Sequence, residues 1–209
     1  MKVIFDLDGT LIDCSKRHWT VYSAILTTFG KNPLKLHQYW DLKRENTPWP
    51  EILHRSGVQG SFIGKFMDRF IREIEQVENL KIDNIFDDTL VTLGALKGHD
   101  LYLVSLRRND ENLRAQLDWL HLTDFFEEIY SGYTEDEGHD KKNEIIRKII
   151  AHKRAVVIGD TETDVKAAQS LQLQSIAVTT GIRSSAFLSR HKPTHIVDQL
   201  ADVVRLIVV

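Results

Sequence analysis

One cysteine, Cys14, stands in a chain of 209 residues. That excludes an internal disulfide and any metal site built from cysteine alone, and it suits a reducing compartment, with the cytoplasm as the expected address. Cys14 reads as a small packed side chain more simply than as a redox switch. Proline is scarce, with four in all, and no repeat or low-complexity tract marks a linker. Long apolar runs are missing: none approaches the roughly 20 residues of a membrane span. The opening Met1–Asp6 reaches a carboxylate after Val3, Ile4 and Phe5, unlike a secretory leader. A large charge of one sign is also missing. The formal net charge of −3 leaves no basic surplus for nucleic acid or an anionic membrane. What remains is 42% hydrophobic and 27% charged, an ordinary globular composition long enough for one core with a small insert.

Short β-rich runs occur at Lys2–Phe5, Leu101–Ser105, Glu128–Ser131, Ala155–Gly159, Ser175–Val178 and His195–Val197. Helical patterns fall between them at Asp88–Lys97, Asp110–Leu120, Lys142–His152, Thr163–Leu171 and Gln199–Val208. This alternation predicts an α/β, Rossmann-like parallel sheet with helices on both faces. Residues Ser15–Phe86 break the rhythm, because about 70 residues are too many for one crossover helix. They read as helices at Lys16–Phe29, Leu34–Leu42, Trp49–Arg55 and Ile63–Val77, punctuated by Pro33, Pro48 and Pro50. The expected division is a core of residues 1–14 and 87–209 with a helical cap at 15–86. Trp19, Tyr39 and Trp40 are expected to pack the small helical core. The insert's slight excess of Lys and Arg fits either an ordinary solvated surface or the approach of an anionic substrate.

The sharpest feature is Asp6-Leu7-Asp8-Gly9-Thr10, directly after an apolar strand. In parallel α/β sheets, ligands bind beyond the carboxyl ends of the strands. Alternation lets Asp6 and Asp8 both approach that crevice, while Gly9 allows the chain to turn away. Two close carboxylates repel, so they need a cation or a shared proton. Asp6 can thereby bind Mg²⁺ and attack phosphorus, while Asp8 protonates a leaving oxygen and later deprotonates water.

Asp6–Thr10 resembles the first motif of the haloacid dehalogenase superfamily of phosphatases, and the remaining motifs follow in that family's order. Ser105 closes the strand Leu101–Ser105 as the family's small hydroxyl residue, the one that hydrogen-bonds the transferring phosphoryl group. A lysine precedes the third helical pattern. Then Gly159-Asp160-Thr161-Glu162-Thr163-Asp164 matches G-D-x-x-x-D after an apolar strand. The resemblance implies a Mg²⁺ site from Asp6, Asp8, Asp160 and Asp164. Its implied catalytic set is Asp6, Asp8, Ser105 and Lys142, with substrate contacts from Thr10, Ser105, Leu106, Arg107 and Lys142. Lys141 and Lys142 are adjacent; Lys142 is preferred because Ile145-Ile146 follows at the register common in the family.

The branch resembled includes phosphoglycolate phosphatase and β-phosphoglucomutase. It implies a cap closing over a small phosphorylated metabolite and a phosphatase working through an aspartyl-phosphate. A phosphomutase, a phosphonatase with an imine-forming cap lysine (Lys16, Lys31, Lys35 or Lys43) and a non-catalytic phospho-ligand binder are the alternatives. Arg107 and Arg108 stand where relatives often carry a short polar residue, and either substrate contact or a surface ion pair suits them. Glu162 is expected to face solvent. Nothing in the sequence sets the oligomeric state.

Overall fold

A computed structural model describes residues 1–133, 138–150 and 154–207. The chain enters as Lys2–Phe5 (β1) and Ile12–Asp13 (β2). Five helices follow: Ser15–Thr28 (α1), Leu36–Arg44 (α2), Trp49–Arg55 (α3), Phe62–Glu73 (α4) and Val77–Leu80 (α5). After Asn84–Ile85 (β3), helices and strands alternate as Thr89–Ala95 (α6), Asp100–Ser105 (β4), Asp110–Trp119 (α7), Glu128–Ser131 (β5) and Gly138–Ile150 (α8). Ala155–Gly159 (β6), Glu162–Ser170 (α9), Gln174–Val178 (β7), Ser185–Ser189 (α10), His195–Val197 (β8) and Val203–Ile207 (α11) complete the chain.

Six strands form one sheet in the order β5-β4-β1-β6-β7-β8, and every neighbouring pair is parallel. The fold is α/β and Rossmann-like. Alternation along β1 sends Val3 and Phe5 to one face, where Leu93, Leu113, Leu117 and Val203 pack. Ile4 points to the other, against Ile145, Ile146, Ile149 and Ala168. Because β1 lies between β4 and β6, with Phe5 opposite both Leu103 and Ile158, three strand ends meet at one edge. The strand order reverses there, which leaves a crevice above β1.

The helices between β2 and β3 have their own core of Tyr22, Ile25, Tyr39, Ile52, Phe66 and Phe70, all buried. Tyr39 stacks on Tyr22 at 4.4 Å, and Trp49 lies over Phe70 at 4.8 Å. Trp19 and Trp40 pack against this cluster half-buried. Entry and exit are tied together by the antiparallel β2–β3 pair, Ile12 opposite Ile85. Two further seams hold the helices to the sheet. At one, Arg44 donates to the carbonyls of Gly181 (2.7 Å) and Thr179 (2.9 Å), while Arg183 donates to the Lys43 carbonyl at 2.9 Å. At the other, the Glu75 carboxylate accepts from the backbone N–H groups of Arg108 and Asn109 at 3.0 and 2.9 Å.

Differences from the sequence reading are local. The pair β2–β3 is too short for period-2 alternation to announce it. The expected helix Ile63–Val77 divides into α4 and α5 where Glu75 turns to the core and Gln76 becomes extended (ψ 144°). α8 starts at Gly138 rather than Lys142, and its expected end at His152 lies outside the described residues. Gln199–Val208 divides into a 3₁₀ turn at Leu200–Asp202 and α11, with Val208 again outside the described residues. α10 was not expected; Ser184 caps it by accepting from Phe187 N at 3.0 Å.

Lys43, in the last turn of α2, holds its ammonium 4.4 Å from the centre of the Trp49 ring. Burial, and then the nearby Arg183, push its pKa down from 10.5 to about 8. Between those values the unfolded chain holds a proton that the folded chain does not, so stability gained from this group rises with pH through that window. Urea melts of wild type and Lys43→Met at pH 7 and pH 9.5 are expected to shift relative stability towards wild type at the higher pH. A difference that is the same at both pH values would show that Lys43 titrates normally.

Candidate active site

Asp6 follows β1, Ser105 ends β4 and Asp160 follows β6, so the sheet register alone brings these three together. Asp6 is anchored by its own N–H, which donates to the Ile158 carbonyl at 2.9 Å. Asp164 arrives from the first turn of α9. Its Oδ2 accepts from the N–H and hydroxyl of Thr161 at 3.1 and 2.7 Å, which caps the helix. Its Oδ1 accepts from the Lys142 ammonium, as does Asp6 Oδ1. Lys142 is buried on α8, whereas Lys141 points outward to Glu144 at 3.0 Å. Asp160, fully buried, accepts from Ile182 N–H at 2.6 Å and from the Thr10 hydroxyl at 3.3 Å.

Three glycines make this convergence possible. Gly9 turns the chain at φ +82°, a left-handed conformation that costs glycine nothing. A Cβ on Gly181 would overlap the Asp160 carboxylate, and one on Gly159 would overlap Asp164. The glycine of the G-D pair is therefore required by the carboxylate lying over it rather than by the turn.

Asp6, Asp160 and Asp164 each offer an oxygen within 4.8 Å of the others. Burial, reinforced by Asp164 and Asp8 against the opposing pull of Lys142, pushes Asp6 up to about 7. Burial, then Asp6 and Asp164, push Asp160 well above the carboxylate range. Burial alone would lower Lys142, but Asp164 and Asp6 hold it protonated. One ammonium does not neutralise three carboxylates. Hard oxygen donors in excess, at this spacing, fit a divalent cation such as Mg²⁺.

Asp8 behaves differently. Its carboxylate lies outside that cluster, although a metal role was expected of it. Arg107 grips it with two bonds, Nε to Oδ2 at 2.7 Å and Nη2 to Oδ1 at 2.8 Å, and Arg17 of α1 donates to Oδ1 as well. Burial would raise this carboxyl, but Arg107 and Arg17 hold it well below its usual range. Behind the arginines lie Asp83 and Gln116. Arg17 Nε is 3.1 Å from Asp83, Arg107 Nη1 donates to Gln116 at 2.6 Å, and Gln116 donates to Asp83 at 2.8 Å. Burial pushes Asp83 up to about 6.

A cavity of about 310 Å³ opens over these groups, with Asp6, Asp8, Ser105, Leu106, Arg107 and Lys142 on its wall. Thr10, expected to contact a ligand, instead packs behind the cluster with its hydroxyl on Asp160. Arg107 makes a buried ion pair, not the surface pair considered above, while Arg108 lies exposed over Tyr133 at 3.5 Å. Glu162, expected in solvent, is half-buried and accepts from Arg183 at 2.7 Å, which also lowers its pKa against the effect of burial. Cys14 is buried in the cavity wall, where burial pushes its thiol well up.

Sequence reasoning missed Arg17, Asp83, Gln116 and Ile182. Gln116 left a signal, since it shares the buried face of Leu113 and Leu117, where a polar residue needs a partner. The other three carry none, because their partners lie in other elements of the fold.

Residues 3–178 match the family described as haloacid dehalogenase-like hydrolase. A phosphoglycolate phosphatase of Synechococcus elongatus is 24% identical over 98% of this chain and 96% of its own. The pyrophosphatase PpaX of Oceanobacillus iheyensis is 22% identical over 98% and 95%. Among solved structures, a haloacid dehalogenase-like family hydrolase from Streptococcus pneumoniae superposes with TM-score 0.77 at 21% identity, over 98% of this chain and 97% of that one.

Gly181→Ala is expected to displace Asp160, destabilise the fold by roughly 1–3 kcal/mol and weaken Mg²⁺ binding at least about tenfold. Gly98→Ala, where a Cβ meets nothing within 4 Å, is the control. Thermal melts and Mg²⁺ calorimetry check both, and equal behaviour of the two variants would remove the close-approach argument.

Proposed function

The chain belongs to the haloacid dehalogenase-like hydrolase family, and on that premise we propose that it is a Mg²⁺-dependent phosphatase of a small phosphorylated metabolite. The reading is carried by one observation: Asp6, Asp160, Asp164 and Lys142 meet beyond the ends of β1 and β6, on the floor of a cavity. Asp6 is the proposed nucleophile. Its carboxylate attacks phosphorus in line, forming an Asp6–phosphorus bond as the bond to the leaving oxygen breaks. Asp8, which its two arginines keep ionised, takes up a proton from solvent as it turns from them and gives that proton to the leaving oxygen. It then takes one from the water that hydrolyses the aspartyl-phosphate. Ser105 and Lys142 hold the phosphoryl oxygens, and Lys142 offsets the repulsion between Asp6 and the incoming anion.

Asp6, Asp160 and Asp164 would hold the cation, which when bound supplies charge neutralisation at the transferring phosphoryl group. Thr10 and Ile182 act one step back by fixing Asp160. Residues 15–86 are the proposed cap, excluding water from the cavity through α1, Phe70 and Ile74. The named activities of the Synechococcus and Oceanobacillus relatives make phosphoglycolate and pyrophosphate the first compounds to try. A phosphonatase would need a cap lysine in the cavity. Among the described residues lining it, Lys142 is the only lysine.

Phosphate release from small phosphate esters is expected with Mg²⁺, to be lost with chelator and to fall at least about 10³-fold in Asp6→Asn. Lys142→Ala is expected to cost at least tenfold more in kcat than Lys141→Ala. Activity retained in Asp6→Asn would sink the nucleophile assignment, and the reverse lysine ranking would reassign the motif.

A further inference from the structure

Arg17 and Arg107 face the cavity beside the proposed nucleophile, yet in the steps above neither touches the substrate. Their side chains are only 2% and 5% exposed. Both are held from behind by groups absent from the cavity wall: Asp83, whose side chain is fully buried, and Gln116. On the cavity side one carboxylate answers both guanidiniums, that of Asp8, which is 27% exposed. Two cations are thus balanced by two anions, of which Asp83 is closed off from the cavity and Asp8 lines it.

Three of the roughly four acceptor sites of Asp8 are taken by arginine N–H groups, so turning its carboxyl to a leaving oxygen breaks at least part of that grip. When it turns to the phosphoryl group, Arg17 and Arg107 retain only Asp83 as a counter-charge. A forked set of N–H donors and one excess positive charge then face the cavity. Leaving buried charged donors unpaired is costly, and guanidinium forks match carboxylate and phosphate geometry. The neighbouring wall does not compete. Phe70 and Ile74 present apolar side chains, the Ile74 carbonyl accepts only from Arg17 Nη1, at 3.3 Å, and the Glu75 carboxylate is committed to the N–H groups of Arg108 and Asn109.

We infer that Arg17 and Arg107 form an anion subsite that takes the place of Asp8's partner, so that the site selects phosphorylated compounds whose leaving group carries a second anion. The inference rests on the phosphatase reading, and names a carboxylate or a second phosphate as the recognised group. The incoming anion replaces the Asp8 carboxylate on the two guanidiniums and frees Asp8 for the reaction. Substrate recognition and release of the acid/base are one exchange.

The test compares kcat/KM for phosphoglycolate, pyrophosphate and ethyl phosphate with Mg²⁺. Phosphoglycolate or pyrophosphate is expected to exceed ethyl phosphate by about 10- to 100-fold, and the better of the two identifies the anion. Arg107→Lys keeps the charge and loses the fork, so that preference is expected to shrink about tenfold. Calorimetry gives a readout without turnover: phosphonoacetate and methylenediphosphonate are expected to bind wild type at least tenfold tighter than ethylphosphonate. Turnover of all three compounds with equal kcat/KM overturns the subsite and leaves the phosphatase reading standing. Absence of turnover with the calorimetric preference intact overturns the phosphatase reading and keeps the subsite. Equal binding of all three phosphonates overturns the subsite whatever the kinetics.

Discussion

Three carboxylates packed around one ammonium dominate the molecule. Asp6, Asp160 and Asp164 sit almost without solvent at the ends of β1 and β6 and in the first turn of α9, with Lys142 between two of them. Burial raises the cost of each negative charge, and each adds to the cost of the others. Such a cluster persists only because the surrounding fold leaves it no alternative. Parallel pairing of β1 with β6 sets Asp6 beside Asp160, the capping bonds of Thr161 hold Asp164, and the Ile182 N–H pins Asp160. Glycines at 9, 159 and 181 give the carboxylates room. Charge repulsion held in place by its scaffold is the condition under which a cation binds strongly.

The second charged group follows a different logic. Around Asp8 the charges balance: Arg17 and Arg107 against Asp8 and Asp83, with Gln116 bridging. A balanced buried network contributes little net stability, because the desolvation of four ions offsets their attraction. Its value lies in geometry. Arg17 opens the helical insert and Asp83 closes it, while Asp8, Arg107 and Gln116 belong to the sheet and its helices. The network therefore joins the insert to the sheet at the cavity itself, beside the β2–β3 pair and the seams at Arg44 and Glu75.

Much of this was legible in the sequence, for identifiable reasons. The six sheet strands announced themselves as apolar runs, and Asp6, Asp8, Ser105, Asp160 and Asp164 stood at their ends or just beyond. Lys142 was preferred to Lys141 because Ile145-Ile146 follows it at the register common in the resembled family; in the structure Lys142 reaches Asp6 and Asp164, while Lys141 pairs with Glu144. Arg17, Asp83 and Ile182 were not legible, because each acquires its meaning from a partner outside its own element: Arg17 from Asp8, Asp83 from Gln116, Ile182 from Asp160. Glu162 was misread for the same reason. A helix-start acid faces solvent by default, and only Arg183, 21 positions on, draws it inward.

The same asymmetry explains how one fold can keep a general chemistry and a particular selectivity apart. Residues supplied by strand ends, Asp6, Ser105 and Asp160, are placed by backbone pairing that no side chain outside the sheet can alter. Those around Asp8 are placed by side chains from both parts, Arg17 and Asp83 from residues 15–86, Arg107 and Gln116 from the sheet and its helices. Asp8 stands at the junction, on the sheet by its backbone and in the insert's network by its carboxylate. Its two allegiances compete, because three of its roughly four acceptor sites are held by the arginines. On the proposed reading, a ligand that supplies the competing anion settles that competition, and one that lacks it must break a part-buried, three-bonded ion pair to reach the same arrangement.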